Sequence, residues 1–381
     1  MTEEMQVRKK LDTLVEAFQS VLYEEDETFM KNMETKCLAK DDVRKYMFWE
    51  WPQGVGLFGL WKYFDHTKEQ KYLDMLVKFY TQRIQEGLPA KNINTVAPLL
   101  ALSYLYEYTK EERYGEVCEE WAQWLMHEAP RTKERGLQHL TSDTLNDQEL
   151  WDDTLFMAVL FLGNFGRISG RQEYIDEAEY QFLLHAKYLA DKKTGLWFHG
   201  YTFNGNHNFA EAFWGRGNCW ITAAIPEFLE MEEHPASVKN FLGETLKRQA
   251  ESLVMMQDER GMWHTLIDDP SSYLEASATC GFAYGLLRGA QMGILPKECK
   301  NAALKAVKPI LDCVTDDGIV NQVSYGTPMG RESKDFYKHI EIKPMAYGQA
   351  LAILFLMETL KLYNSTFPAD IRKQRLYKLG L

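Results

Sequence analysis

The stretch WPQGVGLFGLWKYFDHTKEQKYLDMLVKFYTQRIQ, residues 51–85, joins two helical segments of opposite character. Gln53–Phe64 is apolar on nearly every side, whereas Gln70–Gln85 spaces its apolar residues three and four apart with charges between them. A helix that is apolar all round must be covered by other helices, while an amphipathic one faces water along one side. The pair therefore reads as an inner helix followed by an outer one. The same alternation continues along the chain. Apolar segments at Thr95–Tyr108, Glu149–Ile168, Phe209–Met231, Ser272–Met292 and Pro344–Tyr363 are interleaved with amphipathic ones at Val7–Leu22, Arg113–Glu128, Glu173–Leu189, Val238–Gln257 and Glu298–Val314.

Six buried helices alternating with six half-exposed ones describe an inner ring inside an outer ring, an (α/α)6 barrel. An open helical solenoid would share the periodicity, but solenoids carry tighter and more regular repeats than the weak echoes GLFGLWKYF, PLLALSYLY and GQALAILFL found here. No Ser/Gly/Pro-rich linker or low-complexity run divides the chain, which predicts one large domain over residues 1–381.

Composition narrows the function. Hydrophobic residues make up 45% of the chain, and 20 Tyr, 20 Phe and 10 Trp either fill a helical core or offer faces on which sugar rings stack. The N-terminal MTEEMQVRKKLDTLVEAF is charged and amphipathic and has no signal-peptide apolar run, so a cytoplasmic protein is expected. The cysteines, Cys37, Cys118, Cys219, Cys280, Cys299 and Cys313, form no C-x-x-C pair, and the histidines show no H-E-x-x-H or H-x-H spacing. Neither metal nor cofactor is signalled. A formal charge of −12 argues against nucleic acid and anionic membrane as partners. An anionic ligand would have to be held by a few local cations.

The inner segments gather polar residues and tryptophans at or just before their N-terminal ends, as in Trp51-Pro52-Gln53-Gly54, Asn92-Ile93-Asn94-Thr95, Trp151-Asp152-Asp153 and Trp214-Gly215-Arg216-Gly217-Asn218. If the inner helices run parallel, these ends meet at one mouth of the barrel. In WDDTLFMAVLF, burial beside Trp151 would raise a carboxyl pKa toward the range a general acid needs. Acidic residues also serve plain capping at a helix start, and periodicity does not choose between Asp152 and Asp153. Arg216 lies four residues from Trp220, hence on one face, where a guanidinium fork beside an indole suits a carboxylate-bearing ring; an internal ion pair is the alternative. His139 and His199 sit in loops that lead into inner helices.

These residues taken together carry a resemblance. The chain resembles the unsaturated rhamnogalacturonyl hydrolases of glycoside hydrolase family 105, related to the unsaturated glucuronyl hydrolases. The matching stretches are WPQGVGLFGLWKY, NINTVAPLLALSYLYE, QHLTSDTLNDQELWDDTLFM, WFHGYT, FWGRGNCW, SYLEASATCGFAYGLLRG and KPMAYGQA, in order over nearly the whole chain. The resemblance implies an (α/α)6 barrel acting on a small anionic oligosaccharide whose terminal uronic acid has a C4=C5 double bond. An acid protonates C4, water adds at C5, and the hemiketal opens to expel the remaining sugar, so one carboxyl serves as acid and base where ordinary glycosidases need two. By the W-x-D-T-L-F-M motif that acid is Asp153, with Asp152 at a variable position and the milder to replace. His139, His199, Arg216 and Trp220 would orient the acid, bind the carboxylate and stack the ring, with Trp51 and Trp214 completing the binding site. Where many members have a second Asp this chain has Asn94, which can donate a hydrogen bond to the acid but cannot raise its pKa by like-charge repulsion. Three alternatives stay open: a glucuronyl substrate, a conventional inverting glycosidase using Glu211 or Glu275 as second carboxylate, and a carbohydrate-binding barrel without turnover.

Overall fold

The computed structural model describes residues 2–363. Fifteen α-helices dominate it. The inner ones are α4 (Trp51–Thr67), α6 (Ile93–Thr109), α8 (Leu160–Ser169), α10 (Gly215–Met231), α12 (Ala276–Gln291) and α15 (Ala346–Tyr363). The outer ones are α1 (Glu3–Tyr23), α5 (Gln70–Glu86), α7 (Glu112–His127), α9 (Gln172–Leu189), α11 (Ala236–Met255) and the pair α13 (Lys297–Lys305) and α14 (Val307–Cys313). Two short helices, α2 (Glu27–Met33) and α3 (Val43–Phe48), precede the first inner helix.

Ring closure decides between barrel and solenoid. Each inner helix packs on the next, α4 on α6, α6 on α8, α8 on α10, α10 on α12 and α12 on α15, and α15 packs back on α4. The first outer helix, α1, covers the last inner one, α15, so the two ends of the described chain meet. A solenoid has no such contact. The expected single domain extends to residues 364–381, which lie outside the described residues.

Local chemistry sets the helix ends. Glu50 and Gln53 form a reciprocal capping box at the start of α4, and Asn92 with Thr95 does the same for α6. Lys68, Lys110 and Gly170 then end α4, α6 and α8 in the left-handed conformation that turns an inner helix into an outer one. Gly285 lets α12 approach α10: a Cβ there would stand 2.1 Å from the carbonyl oxygen of Thr222.

At the C-terminal ends of the inner helices, a buried ionic network ties four of them together. Glu227 of α10 accepts from Lys62 of α4 (2.6 Å), Arg288 of α12 (3.0 Å) and Tyr284 (2.5 Å), while Glu358 of α15 pairs with Arg288 (3.5 Å) and Lys361 (3.1 Å). The inner helices thus run parallel, with this network at the bottom and their N-termini at the opposite mouth.

Several expected boundaries fail, three of them ahead of an inner helix. Glu149–Trp151 is not the start of a helix but strand β1, paired antiparallel with β2 (Gly200–Thr202); residues 209–214 are a loop ahead of α10; and Leu274–Glu275 is strand β4, paired with β3 (Trp263–His264). These short strands are as buried as the helices they precede, so apolar content alone does not separate them. The segment Glu298–Val314 breaks at Ala306 into α13 and α14.

Candidate active site

The mouth is built from the residues just before the inner helices. Strand β1 ends at Trp151, Asp152 turns, and the helix begins at Asp153 and passes through one π-helical turn, Leu155–Val159, before becoming α8. Such widened turns are frequent at functional sites. The strand pairing Trp151↔Gly200 brings His199 alongside the two aspartates.

The two carboxyls that periodicity left equal differ in exposure. Asp152 is fully buried, while the side chain of Asp153 keeps 17% of its surface open. Nε2 of His199 stands 3.5 Å from Oδ2 of Asp153, and its Nδ1 is 2.6 Å from the hydroxyl of Tyr337, which accepts from the Gly330 N–H. Burial lowers the pKa of His199 and so favours the neutral ring; a Tyr337 hydroxyl donating to Nδ1 would leave the ring hydrogen on Nε2, facing Asp153. His139 stacks on Trp151, ring centroids 4.5 Å apart, with Nδ1 2.8 Å from Thr154 Oγ1, and burial brings it down to about 4, neutral as well.

Burial pushes the Asp152 carboxyl well above the usual carboxylate range, and the neighbouring Asp153 charge pushes it the same way. Burial acts on Asp153 in that direction too, but His199, His139 and the adjoining Asp152 outweigh it and hold it at about 2. Of the two, Asp152 is the one whose neutral form burial favours. Among the described residues, Asp152, Asp153 and His199 are also the one group whose His, Cys, Asp or Glu ligand atoms lie within 4.8 Å of one another.

Around this pair runs a continuous aromatic wall. Trp214 packs on His199 (4.3 Å) and Tyr337 (5.8 Å); the Arg216 guanidinium lies between Trp214 (4.7 Å) and Tyr347 (4.6 Å); and Tyr347 stacks on Trp51, which meets Trp220 edge-on. Trp214 and Trp220 are buried and Trp51 is partly open. Buried polar atoms without protein partners gather here: both Asp152 oxygens, Asp153 Oδ2, His199 Nε2 and the indole N–H groups of Trp214 and Trp220. Native interiors leave few such groups, so their concentration marks a functional site. The surface depression lined by Arg260, His264, Pro270 and Gln322 contains none of these residues.

Two expected residues are engaged differently from the roles first assigned to them. Arg216 is buried, and its fork donates to Ser324 Oγ (2.6 Å), Thr327 Oγ1 (2.8 Å) and the carbonyl oxygens of Ser324 and Tyr325, with Glu275 3.7 Å away. It pins the 324–327 loop over the mouth beside an internal carboxylate partner. Asn94 lies against Glu50, a buried carboxyl raised by burial to about 7, while the groups that act on Asp153 are His199, His139 and Asp152. Sequence reading missed Tyr337, Tyr347, Ser324 and Glu50 as parts of this wall. Glu50 had a signal, the capping-box spacing to Gln53; Tyr337, in a 3-10 turn (Lys334–His339) 138 residues from its partner His199, had none.

Known proteins share the family and the fold. The family model described as Glycosyl Hydrolase Family 88 matches residues 22–363. The unsaturated rhamnogalacturonyl hydrolase YesR of Bacillus subtilis is 32% identical over 335 residues, 87% of this chain and 92% of its own. Crystal structures described as possible members of the GH105 family, from Salmonella enterica serovar Paratyphi A and Klebsiella pneumoniae, are 43% and 42% identical with TM-scores of 0.86 and 0.87, each covering 93% of this chain and 94% of its own.

Proposed function

The chain belongs to glycosyl hydrolase family 88, and from that premise we propose that it removes the terminal 4,5-unsaturated uronic acid from lyase-generated oligosaccharides with Asp153 as acid and base. It is a glycoside hydrolase of the unsaturated uronyl type. Protonation of C4 turns the enol ether into an oxocarbenium ion at C5; water adds there, and the hemiketal opens to release the next sugar. Such chemistry needs one carboxyl at the reacting carbons.

The observation that carries the reading is the exposure of the carboxyls around His199 and the aromatic wall: Glu50, Glu149, Asp152 and Glu275 are all buried and Asp153 keeps an open edge, while Glu211 is exposed in the loop ahead of α10. Glu275, a candidate second carboxylate for an inverting glycosidase, accepts from the N–H groups of Ala278 (2.5 Å) and Ser324 (2.9 Å) and from Ser277 Oγ (2.7 Å), which commits it to capping α12. Trp51 offers the accessible aromatic face for the sugar, and His199 orients Asp153. The rhamnogalacturonyl or galacturonyl type is favoured by the extent of similarity to the Bacillus enzyme. Six unpaired cysteines, five of them buried, suit the reducing cytoplasm.

The test follows the ultraviolet absorbance of the conjugated double bond while the protein acts, with chelator present, on unsaturated pectic and glucuronic-acid disaccharides. The signal should fall fastest on the galacturonyl type, and Asp153→Asn should nearly abolish the fall while the protein stays folded. An unchanged signal across the panel, or a fully active Asp153→Asn, would overturn the reading.

A further inference from the structure

Asp152 is the most deeply buried acidic group at the mouth, and nothing in the proposed reaction yet uses it. Neither of its oxygens has a protein donor, and Oδ2 of Asp153 has none either. The two carboxyls lie against each other, with His199 completing the cluster within 4.8 Å. The pocket is shaped to the carboxyl: a Cβ on residue 217 would stand 2.5 Å from Asp152 Oδ2 and 2.8 Å from Oδ1, so the glycine of Trp214-Gly215-Arg216-Gly217 is what leaves room for it. An unpaired carboxylate in such a place is costly, and two are more so. A single proton held between the two carboxyls satisfies both.

Groups facing the pair from every side support this. Burial favours the neutral forms of His199, just before β2, and of His139 in the loop ahead of β1, and it keeps Tyr337 from the 3-10 turn and Cys219 from α10 protonated. Arg216 is turned toward Ser324 and Thr327, with Glu275 beside it, and Arg331 is paired with Glu149 at 2.7 Å. Among the described residues no ion pair to a Lys or Arg is made by either aspartate, so a second negative charge on the pair would go uncompensated and the proton stays.

We propose that Asp152 and Asp153 work as a proton-sharing pair, in which Asp152 stores the proton and Asp153 delivers it to C4 of the unsaturated uronyl ring. This rests on the hydration reading above. At rest the proton is on Asp152, bridging to the Asp153 carboxylate. Entry of the anionic substrate beside Asp153 draws the proton across, leaving Asp152 ionised. The Asp153 O–H bond then breaks as the C4=C5 electron pair forms the C4–H bond, and the ring oxygen lone pair stabilises the cation at C5. For that moment the pair is a dianion facing an oxocarbenium ion, so its charge is compensated in the transition state. Water adds at C5, its proton goes to Asp153, and from there back to Asp152. One proton is lent and returned. Asp152 never touches the substrate and is a positioning residue that acts through Asp153.

Asp152→Asn keeps the volume and removes the second ionisable oxygen. Its pH–rate profile, read by the ultraviolet assay, should lose the alkaline side: the limb moves down by at least about one pH unit, so turnover falls by about tenfold or more at pH 8 with little change at pH 5 and in KM. A uniform loss at all pH values, or an unmoved limb, would make Asp152 merely structural and overturn the proposal. A second measurement needs no variant. The infrared carbonyl band of a neutral carboxyl should persist in the wild-type protein at pH 9, beyond the titration of Glu50 at about 7. Absence of that band would equally overturn it. A wild-type protein that shows the band yet leaves every unsaturated substrate untouched would instead sink the hydration reading and leave the shared proton standing.

Discussion

Gly217→Ala tests the pocket around Asp152 without touching either aspartate. The added methyl would lie 2.5 Å from Oδ2 and 2.8 Å from Oδ1 of Asp152, against a normal carbon–oxygen contact of about 3.2 Å or more. Relief requires a shift of roughly 0.7 Å, either by the carboxyl or by α10. The Asp152 carboxyl has little room to yield, because the side chain is fully buried and Trp214 already packs 2.9 Å from the same Cβ position. Overpacking of this kind costs about 1–3 kcal/mol. A displacement approaching 1 Å at a reacting group can cost up to about a hundredfold in rate. We therefore expect thermal unfolding several degrees lower, kcat down by about ten- to a hundredfold, and KM within about a factor of three, because the methyl points away from the cleft. Thermal melts together with the ultraviolet assay give all three quantities. A folded Gly217→Ala protein with wild-type kcat and wild-type pH profile would refute the reasoning, since the fit of Asp152 would then be irrelevant to turnover.

Other expectations follow from the same geometry. Tyr337→Phe removes the hydroxyl between His199 Nδ1 and the Gly330 N–H, so stability should drop by about 1–3 kcal/mol and kcat by about tenfold, with KM little changed; a fully active variant would show that the His199 tautomer needs no holding. At the barrel bottom, burial pushes Glu227 up, but Lys62 and Arg288 hold it down at about 2. A depressed folded-state pKa gives stability that is complete above the ordinary glutamate value near 4.3 and is lost as pH falls toward 2. Thermal melts from pH 7 to 2 should therefore decline mainly in that window, and Glu227→Gln should be less stable at pH 7 and flatter in acid; an equally steep acid limb in the variant would place the loss elsewhere.

Much of this was legible because burial leaves a mark on every turn of a helix. The inner helix of residues 51–67 has no polar stripe, and that alone required a second ring around it. The mouth was legible for a related reason: a chain that buries its inner helices must put their polar residues at the ends. What stayed hidden depends on distances in space. Asp152 and Asp153 are neighbours in sequence with the same chemistry, and only the turn between β1 and the π-helical segment sends one inward and the other to the cleft. Arg216 read equally well as a substrate clamp or an internal partner; its acceptors at Ser324 and Thr327 lie 108 and 111 residues away. The strands at Glu149–Trp151 and Gly200–Thr202 escaped for lack of length, since three buried residues show neither period.

One difficulty raised by composition finds a physical answer in the fold. A chain of net charge −12 must attract an anionic sugar, yet Arg216 is turned toward its own loop and both mouth histidines are neutral. The inner helices all present their N-termini to the mouth, and each aligned helix carries about half a positive charge at that end. Glu50 and Glu275 offset part of this at α4 and α12, whereas α10 begins after Trp214 with no capping acid, and α6 is capped by the neutral Asn92. The resulting potential is local: it acts at a mouth lined by buried groups, where it is screened less than the surface charges that make up the total. Parallel inner helices therefore supply the attraction that composition denies, and they do so without placing beside Asp153 a fixed cation that would strip it of the proton the proposed reaction has it deliver.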